Sequence, residues 1–332
     1  MRFSWLALAL LAVPGLPAQA DSHLPDCRAE VDIFPGTTLA GLADLYYGDV
    51  DYRYAILLAT NARSSDPSKT FPFIGDPYRL PKTGKLCIPI QAEAEMERNR
   101  YLNYEDAVHD MAHAVPSEIT DNLDAIDTSG PVTVVTWMRD DQIAWYKYTP
   151  GETRTIDRQT WVTIVPNLQE FCQAHVTARG PDPRALTLRI EQRLGLPPNS
   201  ADTTFVEFLV ENTGDTAQIF KPCVSPDVTA TTCGLGPLTD CSKAYASDTE
   251  IAACEAHNDF FTGQYYGSYG LSRPSEYPWT SLGYTFDWTF KPLGHNEKPG
   301  FVQYGESEFV IPATATVTVK SVTKTADYCA PG

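Results

Sequence analysis

The sequence predicts an α+β fold, in which a small βααβ module precedes a larger β-rich domain with at least one helix and a disulfide-stapled insert. Three observations lead to this prediction. Within residues 31–90, two segments with apolar residues at helical spacing lie between two short strand-like segments. From about residue 132, runs of β-branched and aromatic residues predominate. Four of the eight cysteines lie between residues 223 and 254, where periodicity is weak.

The first twenty residues have the features of an export signal. Arg2 supplies a positive charge, residues 3–13 are apolar, and Ala18-Gln19-Ala20 forms a small-x-small cleavage site. The apolar run is too short to anchor the chain in a bilayer, and no later segment stays apolar for about 18 residues. We therefore predict a signal peptide over residues 1–20 and export of the mature chain, without a membrane anchor.

Cysteine content and charge restrict the possible partners. All eight cysteines follow the predicted cleavage site, and an even number in an exported chain favours disulfides over free thiols. None are spaced as a CxxC pair, which disfavours a thioredoxin-like or zinc-ribbon site. The formal charge of −17 predicts repulsion from nucleic acid and from anionic membranes. We expect no nucleic-acid partner, no cofactor and no metal.

The βααβ module begins with signals for a strand, a turn and a helix. Residues 29–34 alternate in polarity as a strand does, and Pro35-Gly36 marks a turn. Thr37 or Thr38 can cap the helix that follows, and Gly48 can end it. The apolar stripe of this helix, at positions i, i+3, i+4 and i+7, consists of Leu39, Leu42, Ala43 and Tyr46.

A second helix over residues 52–60 and a closing strand over residues 85–90 complete the module. Four segments of residues 31–90 stand out in order: Pro35-Gly36-Thr37-Thr38-Leu39, Ala43-Asp44-Leu45-Tyr46-Tyr47-Gly48-Asp49, Ala55-Ile56-Leu57-Leu58-Ala59-Thr60-Asn61 and Leu86-Cys87-Ile88-Pro89. This order of turn, helix, Tyr-Gly break, helix, Asn and short strand resembles a LysM module, and the resemblance covers only residues 31–90. LysM modules bind N-acetylglucosamine-containing glycans, most often bacterial peptidoglycan. The resemblance therefore implies export to the periplasm or the exterior of a bacterium.

The resemblance implies a glycan site between two loops. In the family, the glycan lies in a shallow groove between the loop after the first strand and the loop after the second helix. Turns supply backbone groups for an acetamide, and aromatic rings can pack on a sugar face. The implied glycan-binding residues are Pro35, Gly36, Thr37, Thr38, Leu39 and Asn61. The candidate aromatic platforms are Tyr46, Tyr47, Tyr52, Tyr54, Phe71 and Phe73.

The chain departs from the family pattern in both glycan loops and in the closing turn. The usual Gly-Asp-Thr-Leu opening is Gly36-Thr37-Thr38-Leu39, which lacks the acid, and the stretch over residues 62–80 is longer than the usual second loop. The closing turn at Gly84 is one residue shorter. Cys27 and Cys87 flank the module, so we expect a disulfide between them that ties its terminal strands together and stabilises a small core.

We divide the mature chain into a LysM-like module over residues 21–91, a helical linker over residues 92–127 and a β-rich domain of unknown function over residues 128–332. The linker is charged and helix-prone until Pro116 stops it. In the last domain, strands are predicted over residues 132–137, 143–148, 161–165, 205–210, 308–311 and 314–319, and a helix over residues 183–194.

Two groups of residues, one in the predicted linker and one in the β-rich domain, have alternative interpretations. His109 and His113 are spaced i and i+4 as zinc ligands can be, but Asp110 stands where zinc peptidases have Glu, and no third ligand is near. We interpret this segment as a solvated helix. Residues 277–288 are rich in Tyr, Trp and Phe, and could line a sugar cleft with Asp287 as its acid or form a strand packed on a core. We favour the core.

These features favour a non-catalytic envelope protein that binds peptidoglycan, or a related N-acetylglucosamine-containing glycan, through its LysM-like module. Two alternatives stay open. One is an envelope scaffold in which both domains contact other proteins. The other is an envelope hydrolase that the LysM-like module directs to its substrate; no GxSxG elbow, P-loop or dinucleotide fingerprint supports a specific enzyme class.

Overall fold

The computed structural model of this protein describes residues 24–64, 70–198, 201–213, 218–270, 277–291 and 300–332. The predicted signal peptide lies outside these residues. Within them the chain is a mixed α+β protein, as the sequence predicts. No helix in the described ranges has both the length and the apolar character needed to cross a membrane.

The N-terminal part has the order strand, helix, helix, strand, with a short 3-10 turn between the helices. Thr38 begins the first helix, since its hydroxyl accepts a hydrogen bond from the Gly41 N–H, and Gly48 ends it at a φ of 75° that favours glycine. The two strands pair antiparallel, with Ala29 opposite Ile88. The elements are β1 (Cys27–Asp32), α1 (Leu39–Tyr47), α2 (Arg53–Asn61) and β2 (Lys85–Pro89).

The core of this unit lies between the helices and the strand pair. Leu39 and Ala43 from α1 meet Ile56 and Leu58 from α2 and Leu86 from β2, and all five are buried. Helical periodicity explains the buried face of α1, whose buried residues lie on its apolar stripe. Helix α2 is instead buried on every side from Tyr54 to Asn61. Cys27 and Cys87 form a disulfide across the strand pair.

Helix α3 (Gln91–Met111) connects this unit with the rest of the protein. Tyr101 stacks on Tyr54 in the N-terminal core, with ring centroids 3.9 Å apart. One turn further on, Tyr104 meets the edge of Trp288 at 5.7 Å. The segment predicted as a linker therefore packs in both cores at once, because its buried residues recur at helical spacing.

A six-stranded antiparallel sheet forms the centre of the C-terminal part, in the order β4-β10-β6-β3-β5-β9. Strands β3 and β6 pair from Val132 opposite Val210 to Met138 opposite Thr204. A separate antiparallel pair joins β7 to β8. The strands are β3 (Val132–Met138), β4 (Thr153–Thr155), β5 (Thr160–Ile164), β6 (Thr204–Val210), β7 (Tyr284–Lys291), β8 (Gly300–Ser307), β9 (Phe309–Ile311) and β10 (Thr316–Lys324).

Both faces of the large sheet are buried. Neighbouring residues Val134 and Val135 belong to different cores, because successive side chains of a strand point to opposite faces. The Val135 face is covered by α5 and α6, and the Cys172–Cys329 disulfide ties α5 to the end of the chain. The remaining helices are α4 (Asp140–Tyr146), α5 (Asn167–Arg179), α6 (Pro183–Arg193), α7 (Cys241–Ala244), α8 (Asp248–Tyr269) and α9 (Thr325–Tyr328).

The segment over residues 143–148 differs from the sequence prediction, whereas the cysteine-rich insert agrees with it. The prediction of a strand over residues 143–148 is wrong, because the chain there forms helix α4. Asp140 and Asp141 lie in the first turn of this helix, and the Gln142 side chain accepts a hydrogen bond from the Arg139 N–H. The cysteine-rich insert contains α7 and the long α8. Its disulfides, Cys223–Cys233 and Cys241–Cys254, confirm the stapled insert within the described residues.

Candidate functional site

The loop of residues 34–38, between β1 and α1, is held by its own side chains. The Phe34 N–H donates to Thr37 Oγ1 at 3.0 Å, and the Thr37 N–H donates back to the Phe34 carbonyl at 3.0 Å. Gly36 has a φ of 91° and allows the tight turn between them. Just before the loop, the Ile33 N–H donates to the Gly84 carbonyl at 2.9 Å. These bonds fix the loop without using its outer surface.

The outer surface of the 34–38 loop combines an aromatic ring with backbone polar groups. Phe34 is 64% exposed although it is a large apolar side chain. Pro35, Gly36 and Thr38 are also exposed, whereas Leu39 is buried in the core. In the described part of the chain, the Gly36 N–H and the carbonyls of Pro35 and Gly36 have no intramolecular partner. The loop therefore presents an apolar face together with free donors and acceptors.

Asn61 lies at the end of α2 and is 5% exposed. Its Nδ2 donates to the Ile74 carbonyl at 2.8 Å, and its Oδ1 accepts from the Ile74 N–H at 2.7 Å. The neighbouring Thr60 Oγ1 accepts from the Cys87 N–H at 3.0 Å. Both polar atoms of the Asn61 amide are thus used to hold the segment between α2 and β2.

The predicted aromatic platforms are mostly packed inside the unit. Tyr47 stacks on Tyr52 at 4.6 Å and donates to the Pro89 carbonyl at 2.6 Å, and burial raises the pKa of its hydroxyl. Tyr54 and Phe71 are buried. Tyr46 is half-buried beneath the Arg28 guanidinium, and Tyr52 and Phe73 are also half-buried. Phe34, which the prediction omitted, is the exposed ring next to the Pro35-Gly36 turn signal.

A cleft separates the N-terminal unit from the large sheet. It consists of two adjoining cavities of about 540 and 670 Å³, which share five lining residues. These volumes fall in the range of small-molecule sites. Residues 35–39 line neither cavity, whereas Asn61 lines both. The shared residues are Asn61, Phe73, Arg139, Pro198 and Asp202.

The aromatic segment over residues 277–288 is a packed core. Trp279, Tyr284 and Trp288 are buried, and Asp287 is 0% exposed. Arg189 binds both carboxylate oxygens of Asp287, at 2.7 and 3.1 Å. An acid enclosed by an arginine in this way cannot protonate a bound glycan. This geometry favours the core interpretation over the sugar cleft.

His109 and His113 are not arranged as the ligands of a metal site. Helix α3 ends at Met111, so His109 lies on it and His113 lies beyond it, and both side chains are exposed. No group of three or more His, Cys, Asp or Glu side chains suited to a metal ion occurs among the described residues. Two histidines alone do not form a zinc site.

Comparison with known proteins gives no relative. A scan against protein-family models, a search of curated proteins and a search of solved structures each found no match to this chain.

Proposed function

We propose that this protein is an exported, non-catalytic protein of the bacterial envelope that binds peptidoglycan, or a related N-acetylglucosamine-containing glycan, through a LysM-like N-terminal module. The module corresponds to the β1-α1-α2-β2 unit. Four disulfides within the described residues support export, because disulfides persist in oxidising compartments.

The exposed surface of the 34–38 loop carries the proposal. Phe34 offers a flat apolar face for the C–H groups of a sugar ring. The free backbone groups of Pro35 and Gly36 lie beside it in sequence and can bond an acetamide. The hydroxyls of Thr37 and Thr38 already hold the loop in place. Binding would therefore cost little conformational entropy.

The site in this proposal differs from the predicted one at three positions. Phe34 is added, because it is the exposed aromatic residue of the loop. Leu39 is removed, because its side chain is buried in the core and cannot reach a glycan. Asn61 supports the second loop through Ile74 instead of contacting the glycan directly, because its amide is already bonded at both ends. A hydrolase is less well supported, since the buried Asp287 is paired with Arg189 and is closed to a substrate.

Co-sedimentation of the mature chain with purified peptidoglycan sacculi tests the proposal. We expect wild-type protein to sediment with the sacculi at moderate salt and Phe34→Ala to lose most of this binding. Trp145→Ala is the matched control, because Trp145 is an aromatic residue that is 79% exposed and lies on α4, outside the module. Failure of the wild type to bind, or equal binding by the two variants, would contradict the proposal.

A further inference from the structure

We propose that the cleft between the N-terminal unit and the large sheet is a second binding site, which takes an acidic sugar and pairs its carboxylate with Arg158. We take this acidic sugar to be an N-acetylated amino sugar of peptidoglycan, and that choice rests on the proposed function. The requirement for a carboxylate follows from the cleft itself.

The two arginines that line the smaller cavity differ in their pairing with acidic residues. The charged lining residues of this cavity are Arg139, Arg158 and Asp202. Arg139 is already neutralised, because Asp141 accepts from two of its nitrogens at 3.0 and 3.2 Å and Asp202 lies close enough to raise its pKa. Arg158 has no carboxylate within 4 Å among the described residues, so it is the uncompensated cation of this cavity.

The Arg158 guanidinium lies 4.9 Å from the centre of the Tyr146 ring, a cation–π contact. No acceptor in the described part of the chain takes a hydrogen bond from this guanidinium, so its N–H groups are available to a ligand. A planar guanidinium with free donors matches a carboxylate in a two-point contact. Such a cation is notable in a chain of formal charge −17, where acids are in excess.

The remaining walls of the cavity suit a sugar ring. Phe73, Trp137 and Trp161 contribute aromatic surface, and Gln142 and Gln159 contribute side-chain amides. Trp137 is fixed by its Nε1, which donates to Thr325 Oγ1 at 2.9 Å. Aromatic rings beside a few polar groups are typical of carbohydrate and other small-ligand sites. The ring and the carboxylate of one acidic sugar can therefore be bound together.

Two sugars that differ in one group test the proposal. N-acetylmuramic acid is N-acetylglucosamine with an added lactyl ether that carries a carboxylate. By titration calorimetry on the mature chain, we expect N-acetylmuramic acid to bind the cleft at least about tenfold more tightly than N-acetylglucosamine, with an affinity that falls as salt rises. Arg158→Gln should weaken binding of the acid about tenfold or more and leave N-acetylglucosamine unchanged.

Arg28→Gln is the matched control. Arg28 is also exposed and stacked on a tyrosine, Tyr46, at 5.5 Å, but it lines neither cavity. Arg158→Glu reverses the charge at this exposed position and should abolish binding of N-acetylmuramic acid. Equal affinities for the two sugars, or equal weakening by Arg158→Gln and Arg28→Gln, would overturn the proposal.

This experiment separates the cleft from the glycan loop. If sacculi fail to bind but N-acetylmuramic acid binds in an Arg158-dependent way, the proposed function fails and the cleft site stands. If sacculi bind through Phe34 and the acid shows no dependence on Arg158, the cleft site fails and the glycan loop stands.

Discussion

The side-chain amide of Asn61 forms hydrogen bonds in both directions with the backbone of a single residue, Ile74, at 2.8 and 2.7 Å. Ile74 is buried in the N-terminal core, so the amide joins the end of α2 to the segment that leads to β2. The same asparagine lines both cavities of the cleft. Its position therefore links the stability of the module to the shape of the cleft wall.

Replacement of Asn61 by Ala should destabilise the mature chain by about 2–4 kcal/mol, because the buried N–H and C=O of Ile74 would both lose their partner. Denaturant unfolding monitored by circular dichroism measures this change. Asn122→Ala is the control, since Asn122 is exposed, and it should change stability by less than about 0.5 kcal/mol. Equal stability of the two variants would show that the Ile74 bonds contribute little.

Removal of the disulfide across β1 and β2 should also destabilise the N-terminal unit. Cys27 and Cys87 are 60 residues apart, and closing a loop of that length stabilises the folded state by about 4 kcal/mol in the chain-entropy estimate. The double variant Cys27→Ala/Cys87→Ala should unfold at a lower denaturant concentration than the wild type.

The pair Cys241 and Cys254 provides the comparison for that variant. It closes a separation of only 13 residues and joins α7 to α8 in the insert. Its double alanine variant should lose about 1 kcal/mol less than the Cys27/Cys87 variant. A larger loss in the insert would mean that loop length does not determine the contribution of these disulfides.

The N-terminal unit could be predicted from sequence because its signals are local. The stripe on α1, the Thr38 cap and the Gly48 stop each depend on residues within a few positions of one another. The same reasoning failed for α4, where Ile143 and Trp145 suggested a strand but two acids and a cap in the first turn favour a helix. The prediction gave more weight to composition than to these signals at the start of the helix, which agree with the observed structure.

Helix α8 and the cleft were also not predicted from the sequence, but for a different reason from α4. Helix α8 has adjacent aromatic residues, such as Phe260 and Phe261, so its apolar residues do not define one face in the sequence, and of its 22 residues only Ser268 is fully buried. The cleft is lined by residues far apart in the sequence, such as Phe73 and Arg158. No pattern along the chain indicates that such residues line one cavity, because that depends on how the N-terminal unit packs against the rest of the protein.

The buried pair of Arg189 and Asp287 should show strong coupling. Asp287→Ala should cost about 3–5 kcal/mol, because it leaves the partly buried Arg189 guanidinium without its carboxylate and near a second arginine, Arg193. The double variant Asp287→Leu/Arg189→Met should be more stable than Asp287→Leu alone, because no unpaired charge remains.

The exposed pair of Lys324 and Asp140, 2.6 Å apart, is the control for this coupling. A double-mutant cycle on that pair should give less than about 1 kcal/mol, since solvent screens both charges. Coupling of the same small size for Arg189 and Asp287 would contradict a structural role for the buried pair.

The stability of the protein should depend on pH through Glu308, which is 2% exposed. Its Oε1 accepts from the Tyr277 hydroxyl at 3.3 Å, and its Oε2 has no partner among the described residues. Burial raises the pKa of this carboxyl from 4.5 to about 8, because the charged form loses its hydration. The folded state therefore binds the Glu308 proton more tightly than the unfolded chain does.

It follows that the stabilisation from protonated Glu308 is fully present below about pH 4.5 and is lost as the pH rises through about 8. The loss should be on the order of 3–5 kcal/mol in the free energy of unfolding. Glu308→Gln should remove this pH-dependent loss, so that the variant becomes more stable than the wild type at pH 8 and similar to it at pH 4.5.

Denaturant unfolding at half-unit pH steps measures the difference in stability between the wild type and Glu308→Gln. Glu152→Gln, at an exposed position, is the control and should follow the wild type. A constant difference between wild type and Glu308→Gln across this pH range would show that Glu308 does not titrate in it.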